Sequence, residues 1–527
     1  MRSAICVLLG VMAEGIALAL YAHDRGGDRA FAGLFGLCGV GFLALALRRT
    51  NRQNRTTGAG LLDKVLLRWG ADTFTLRDLL SGGVAVFGAS GSGKTSSTGR
   101  ALAKAILRHR KGGGLILAAK PEDRAMWEGW FRAAGRSRDL LILDGKTPLR
   151  LNFIDCARRL GWDARETAKM LMIMGESLNA RDARREDSGF WEKQQFRMIY
   201  YACLIINLAY DKLSATDIHR FITASAKSAA ELRTPEFAQG FHATTIQHAQ
   251  ARARTDRDKH DLSQAITYYL NELVNLSDRT RSSIETGVFG LLDTYCTGKV
   301  HDLIGTTTNI TPDVMLDGKF ILVDLPPSET GEFGLIVGGG LKYLTQRMVL
   351  KREVGEGDGF HVTWCDEAQL FITSFDHEYL AQSRSHYGCM VYLTQSLHSY
   401  YGALPGESGK SQTQAILSNF KVKVAHALGD SDSAAYFSSL VGKERQTFPG
   451  GSLGQSRGSY DEMFGASRFT GSFSEQVTDI LQPNNLMSNM RTGGPDHCFL
   501  CDVFLFRSGV PFSTGRNFLR VAFSQKD

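Results

Sequence analysis

The stretch that decides the fold is "GGVAVFGASGSGKTSSTGRALAKAIL", Gly82 to Leu107. It reads as strand, glycine-rich loop, helix. Val84 to Phe87 are apolar in succession, as in a strand buried on both faces. The next residues fit the pattern G-x-x-x-x-G-K-[ST]. Gly88, Gly91 and Gly93 let the backbone wrap an anion where a Cβ would clash. Their N–H groups point inward, and the following helix adds its dipole. In this pattern Lys94 reaches the β- and γ-phosphates of a nucleoside triphosphate, and the Thr95 hydroxyl ligates magnesium. The expected nucleotide-binding set is Gly88, Ser90, Gly91, Ser92, Gly93, Lys94, Thr95 and Ser96, with ATP and Mg2+ as cofactors.

A phosphate loop needs a carboxylate on the metal and a group that activates water. "GFHVTWCDEAQLF" supplies both. His361 to Cys365 form an apolar strand that ends in Asp366 and Glu367. Asp366 is expected to hold magnesium through a water, and Glu367 to act as general base. A third strand, in "GCMVYLTQSLHSY", carries Gln395 at its tip. Gln395 is either a γ-phosphate sensor or a turn residue. Arg384, in "AQSRSHYG", precedes that strand. It either reaches a neighbouring subunit's phosphate as an arginine finger or is a surface charge.

Further apolar runs read as strands: Gly113–Lys120, Asp139–Gly145, Gly318–Pro326 and Lys421–Leu428. Strands alternating with helical stretches imply an α/β fold, a mostly parallel sheet covered on both faces. Its ligands should bind at the carboxyl ends of the strands. The expected domain is a discontinuous, RecA-like P-loop ATPase domain over residues 51–155 and 305–527. Between them, residues 156–304 carry helical periodicity without a convincing strand. In "RSSIETGVFGLLDTY", Ile284, Val288, Leu291, Leu292 and Tyr295 fall on one helical face. This segment reads as an inserted all-α domain. Phe448–Glu475, Gly/Ser-rich and punctuated by aromatics, reads as a long loop.

Residues 1–50 differ from the rest. Ser3–Ala22 is apolar except for Glu14, and Ala30–Leu47 holds no charge. Each is long enough to cross a bilayer. Four arginines between Arg48 and Arg55 would stay in the cytoplasm. The expectation is an N-terminal transmembrane helical hairpin, with a cleaved signal peptide as the competing reading of the first segment.

The bulk numbers agree with several domains. The chain has 527 residues, 43% hydrophobic and 22% charged, and a formal net charge of +7 from 61 basic and 54 acidic residues. That charge permits a nucleic-acid or anionic-membrane partner without demanding one. Nine cysteines are scattered. Cys498 and Cys501 form the single C-x-x-C, inside a run that reads as a buried strand, and nothing completes a zinc site.

The order of these parts resembles the TraG/TraD-type coupling proteins of type IV secretion. The most specific run is "ILSNFKVKVAHALGDSDSAAYFSSLVGKE", Ile416–Glu444, with Asn419, Val422 to Ala427, Asp430, Ala434–Ala435, Ser438 and Leu440–Gly442 at the family's positions. "GKFILVDLP" and "FWEKQQF" also look like the family. The resemblance implies a bacterial inner-membrane ATPase with cytoplasmic domains in a homo-hexameric ring. Such rings pass single-stranded DNA with its attached relaxase, or effector proteins, to the components of a secretion channel. It also implies that Lys94, Thr95, Asp366, Glu367 and Gln395 take the family's site roles, with Arg384 as a trans finger. Ala118 and Ala119 depart from the family, where an acidic residue commonly precedes the lysine matched by Lys120. A receptor for protein cargo, with ATP as a switch, and an FtsK/HerA-like DNA translocase are the alternatives.

Overall fold

The computed structural model describes residues 61–179, 188–355, 357–404, 409–454 and 468–526. A first unit, up to Lys64, contributes the 3-10 turn Leu61–Asp63. The second unit, Val65–Asp527, holds everything that follows.

Thirteen strands run in chain order. They are β1 (Val65–Trp69), β2 (Asp72–Thr75), β3 (Val84–Phe87), β4 (Gly112–Leu117), β5 (Leu140–Leu143), β6 (Phe320–Val323), β7 (Phe360–Cys365), β8 (Gly388–Thr394), β9 (Val422–Ala425), β10 (Lys443–Gly454), β11 (Arg468–Asp479), β12 (Leu500–Arg507) and β13 (Phe518–Ser524). Nine form one sheet in the order β13-β12-β9-β3-β8-β7-β4-β6-β5. The seven strands from β9 to β5 are mutually parallel, and β12 runs antiparallel to both β9 and β13.

The reason is visible in composition. Every residue of β3, β4, β6, β7, β8 and β9 is buried. Only runs without an obligate solvent face can sit inside a sheet covered on both sides. β3 threads between β8 and β9, with Val84 opposite Val391 and Val422. Its entry demands glycine: Gly83 has φ +90, and a Cβ there would lie 1.9 Å from the Met390 carbonyl oxygen.

From Phe153 to Val300 the described elements are helices. The predicted face of the helix Asp278–Cys296 packs inward, with Ile284, Val288, Leu292 and Tyr295 buried. The helices share one apolar core with the sheet. Gly340 marks the junction, since a Cβ there would stand 2.5 Å from Met174 and 2.6 Å from Phe153. Under the sheet, Lys342 donates to both carboxylate oxygens of Asp376 at 2.7 Å, with Gln346 and Tyr392 donating to the same group.

Three sequence expectations are corrected or fall elsewhere. The described part of the Phe448–Glu475 stretch is strand, not loop. β10 and β11 form a separate antiparallel ribbon, from Lys443 opposite Asp479 to Gly454 opposite Arg468. Backbone pairing needs no particular side chain, so glycine and serine did not prevent it. The C-x-x-C run is split: Cys498 is exposed at φ 52, and the strand begins at Leu500, so only Cys501 is buried in it. The two apolar N-terminal segments lie outside the described residues. No helix among the described residues is long and apolar enough to cross a membrane.

Three buried histidines make the fold acid-sensitive. Burial pulls His361 and His426 down to about 3 and His242 down to about 4. Neither ring nitrogen of His361 has a partner. A base whose folded pKa is depressed stabilises the fold above its unfolded value, near 6.5. That stability is lost as pH falls from there toward the folded value. Each group should cost about 2–3 kcal/mol between pH 7 and 4.5. Urea unfolding at both pH values checks this. His361→Leu should shrink the loss, and an equal loss in that variant would contradict the assignment.

Candidate nucleotide site

β3 ends at Phe87, and the glycine-rich loop begins on the shared rim of the parallel strands. Gly88 N–H donates to the Thr394 carbonyl of β8 at 3.2 Å, and Ala89 N–H to the Ala427 carbonyl after β9 at 2.8 Å. His426 braces the loop from below. Its Nδ1 lies 3.0 Å from the Ser92 carbonyl, and its Nε2 lies 2.9 Å from Thr98 Oγ1. A carbonyl only accepts, so Nδ1 carries the proton and Nε2 accepts from the threonine hydroxyl. Burial keeps this ring neutral.

Lys94 is buried, and its ammonium donates to the carbonyls of Gly88 (2.7 Å) and Ala89 (3.1 Å). Burial lowers its pKa, against the pull of Glu367 and Asp366. Thr95 Oγ1 donates to Asp366 Oδ2 at 2.8 Å, closing the gap between the loop and β7. Burial raises the Asp366 pKa. Asp123 is pushed up to about 6 by burial first and the Asp366 charge second. Its Oδ2 accepts from the N–H groups of Ala119 and Lys120.

Glu367 is the strained member. Its backbone lies in the left-handed region, φ 49 and ψ 56, which a side chain like glutamate adopts at a cost. Its carboxylate accepts from Gln369 Nε2 at 2.8 Å and from Gln395 Nε2 at 3.2 and 3.3 Å. Lys120 Nζ lies 3.5 Å from its Oε1. Burial raises its pKa, but the two amides and the Lys120 and Lys94 ammoniums outweigh that and hold it below the ordinary value. The carboxylate is therefore ionised at neutral pH.

The site thus joins Thr95, Asp366, Glu367 and Gln395 in one hydrogen-bonded chain, with the Lys94 ammonium bonded to the loop carbonyls. Ser90 and Gly91 are exposed at the loop tip, and Ser96 is exposed on the following turn. Arg384 is not brought in. It sits in the 3-10 turn Ser383–His386, before the first residue of β8, while Gln395 follows the last. At about 3.3 Å per residue the two are on the order of 20 Å apart.

These residues fit a magnesium nucleotide. The Ser92 hydroxyl is buried in the loop without a protein partner. Thr95 and Asp366 present hard oxygen ligands side by side. No group of three or more His, Cys, Asp or Glu among the described residues could hold a metal alone. Magnesium suits such a site, because it takes one or two protein oxygens and completes its shell from phosphate and water. A bound magnesium would neutralise phosphate charge during transfer.

Sequence reasoning missed three participants and named a fourth, Lys120, only as the lysine matched to the family. Lys120 and His426 meet the site only through the sheet order, although a histidine inside the apolar run "KVKVAHAL" was a signal, while Gln369 reaches Glu367 from two residues along the same turn. The chain's last strands supply the fourth contact. Gln525 Nε2 donates to Ser96 Oγ at 2.7 Å, and a Cβ on Gly93 would lie 2.3 Å from Cys501 Sγ. In the Ile416–Glu444 run, His426 braces the loop and the later matched residues shape the helix that follows. Asp430 caps the helix Ser431–Val441 by accepting from Ser433 N–H, and Gly442 ends it at φ 93.

Residues 362–491 match the family described as "TraM recognition site of TraD and TraG". No curated protein matches the chain. Among solved structures, the plasmid coupling protein TrwB in complex with the ATP analogue ADPNP is similar at TM-score 0.53 and 12% identity, covering 90% of this chain and 92% of that one. The unbound bacterial conjugative coupling protein TrwBdeltaN70 gives TM-score 0.52 at 12% identity, covering 90% and 91%. TrwB in complex with ADP and Mg2+ gives 0.50 at 12%, with the same coverage as the unbound form. At this identity the likeness speaks for the fold.

Gly93 carries two separate demands, φ +85 and contact with Cys501, whereas Gly91 has φ +74 and nothing within 4 Å of a Cβ. Left-handed backbone alone costs alanine about 1–2 kcal/mol. Gly93→Ala should therefore destabilise the nucleotide-free protein clearly more than Gly91→Ala in urea unfolding. Equal losses would show that Cys501 does not pack the loop.

Proposed function

We propose that the chain is a TraG/TraD-type coupling ATPase of a conjugative type IV secretion system. It binds ATP with magnesium and delivers single-stranded DNA with its attached relaxase to the secretion channel. The observation that carries this reading is the Thr95–Asp366 contact, with Glu367 ionised beside it, on a fold shared with coupling proteins. In this reading Lys94 and the loop N–H groups bind phosphate, and Thr95 and Asp366 face magnesium. Glu367 takes the proton of the attacking water, and Gln395 ties that base to the end of β8. The apolar segments in residues 1–50 anchor the chain in the bacterial inner membrane, with the ATPase in the cytoplasm. Six copies form the ring.

Arg384 belongs to this proposal as a finger toward a neighbouring copy, since its own site is out of reach. It is exposed, as that role requires. The ribbon β10–β11 favours protein contact as a second activity. Phe473 and Val477 share one face and are 79% and 63% exposed. It lies inside the matched TraD/TraG segment, so a relaxosome protein or an effector is the partner it suits.

ATP hydrolysis by the full-length chain, with and without single-stranded DNA, tests the proposal. DNA should raise turnover severalfold, and Glu367→Gln should lower it by about 100-fold or more, as loss of a general base does. Turnover indifferent to DNA would overturn the DNA-motor reading in favour of protein cargo. Arg384→Ala should abolish turnover while ATP binding persists. Loss of binding as well would remove its role as a finger.

A further inference from the structure

The proposed base, Glu367, has cations from the ends of strands to either side of β7. Lys94 comes from the loop after β3, and Lys120 from the end of β4, on the far side of β7. Lys94 is committed to the loop carbonyls. Lys120 is not: its ammonium is directed to Glu367, 3.5 Å from Oε1.

Its placement is built rather than incidental. Asp123 Oδ2 accepts from the backbone N–H of Ala119 and Lys120, at 2.9 and 3.0 Å, and fixes the turn that carries the lysine. Ala118 and Ala119, which precede it, are buried and small. Burial lowers the lysine's pKa, but the charges of Asp366 and Glu367 outweigh this and hold it above the ordinary value. The ammonium is therefore permanently charged at working pH.

The carboxylate itself needs holding. Gln369 bonds Oε2 at 2.8 Å, Gln395 spans Oε1 and Oε2 at 3.2 and 3.3 Å, and Lys120 adds a charged ammonium 3.5 Å from Oε1. Glutamate has three rotatable bonds, and a base must meet its water in a narrow range of orientation. A cation beside the base lowers its basicity, so what it can add is orientation.

We propose that Lys120 is a positioning residue for Glu367: it fixes Oε1 so that the carboxylate faces the attacking water. This rests on the reading of Glu367 as general base. It concerns a role in the hydrolytic step, not in nucleotide binding.

The test is a double-mutant cycle on the full-length chain, with ATP turnover and fluorescent-nucleotide binding as readouts. Lys120→Met should lower kcat about tenfold, a fraction of what a general base supplies. KM and nucleotide binding should stay within about twofold. Lys120→Arg should recover part of the loss. In the Glu367→Gln background, Lys120→Met should change the residual rate by less than about twofold, because the group it orients is gone. Lys120 is half exposed, so these variants should keep the wild-type thermal unfolding midpoint.

Unchanged kcat in Lys120→Met would overturn the proposal. So would a rise in kcat, which would make the contact a restraint on the base. An undiminished drop in the Glu367→Gln background would do so too, since Lys120 would then act on another group. Wild-type turnover that ignores DNA would overturn the motor reading and leave this cycle intact. A wild-type chain without hydrolysis would overturn both.

Discussion

The structure depends on one constraint: β3, β8, β7 and β4 are parallel neighbours that end on the same rim. Each strand delivers one functional element there. β3 delivers the phosphate loop, β8 delivers Gln395, β7 delivers Asp366 and Glu367, and β4 delivers Lys120. None of these groups is close in sequence to the others. Their proximity follows from register alone, with Ala85 opposite Tyr392, Trp364 opposite Val391 and Ile116 opposite Trp364. Such a register is secure because these strands are buried on both faces, so a slip would disrupt packing throughout.

Charge is handled differently above and below that rim. At the rim, carboxylates and ammoniums alternate, and each is bonded: Lys94 to the loop, Asp366 to Thr95, Glu367 to two amides and a lysine. Within the sheet and helices, the buried histidines stay neutral and the one fully buried ion pair, Lys342 with Asp376 among the described residues, is saturated by Gln346 and Tyr392. Saturation matters because a buried charge that loses its partner costs several kcal/mol.

Much of this was legible in the sequence, for a physical reason. A strand buried on both faces is a largely apolar run, so β3, β4, β6, β7, β8 and β9 announced themselves. A polar residue at the end of such a run, as at Asp366, Glu367 and Gln395, points to the rim. The helical stretch between β5 and β6 showed its period through Ile284, Val288 and Leu292. What was not legible depended on pairing across the chain. Lys120 looked weakened by Ala118 and Ala119, yet the strand order carries it to Glu367. The ribbon β10–β11 hid in Gly/Ser-rich sequence, because its pairing is made by backbone. Cys501 was read as core, and its burial agrees, but its packing against Gly93 follows from β12 lying beside β9.

The central claim is that this rim is a magnesium–nucleotide site in which Asp366 serves the metal. Calorimetric titration of ATP into the full-length chain, with Mg2+ and with EDTA, addresses it directly when repeated on Asp366→Asn. The account predicts that Mg2+ tightens ATP binding to the wild-type chain by about tenfold, roughly 1.4 kcal/mol, and that the tightening disappears in the variant. Binding indifferent to Mg2+ in the wild-type chain, or equally Mg2+-dependent in both, would contradict it.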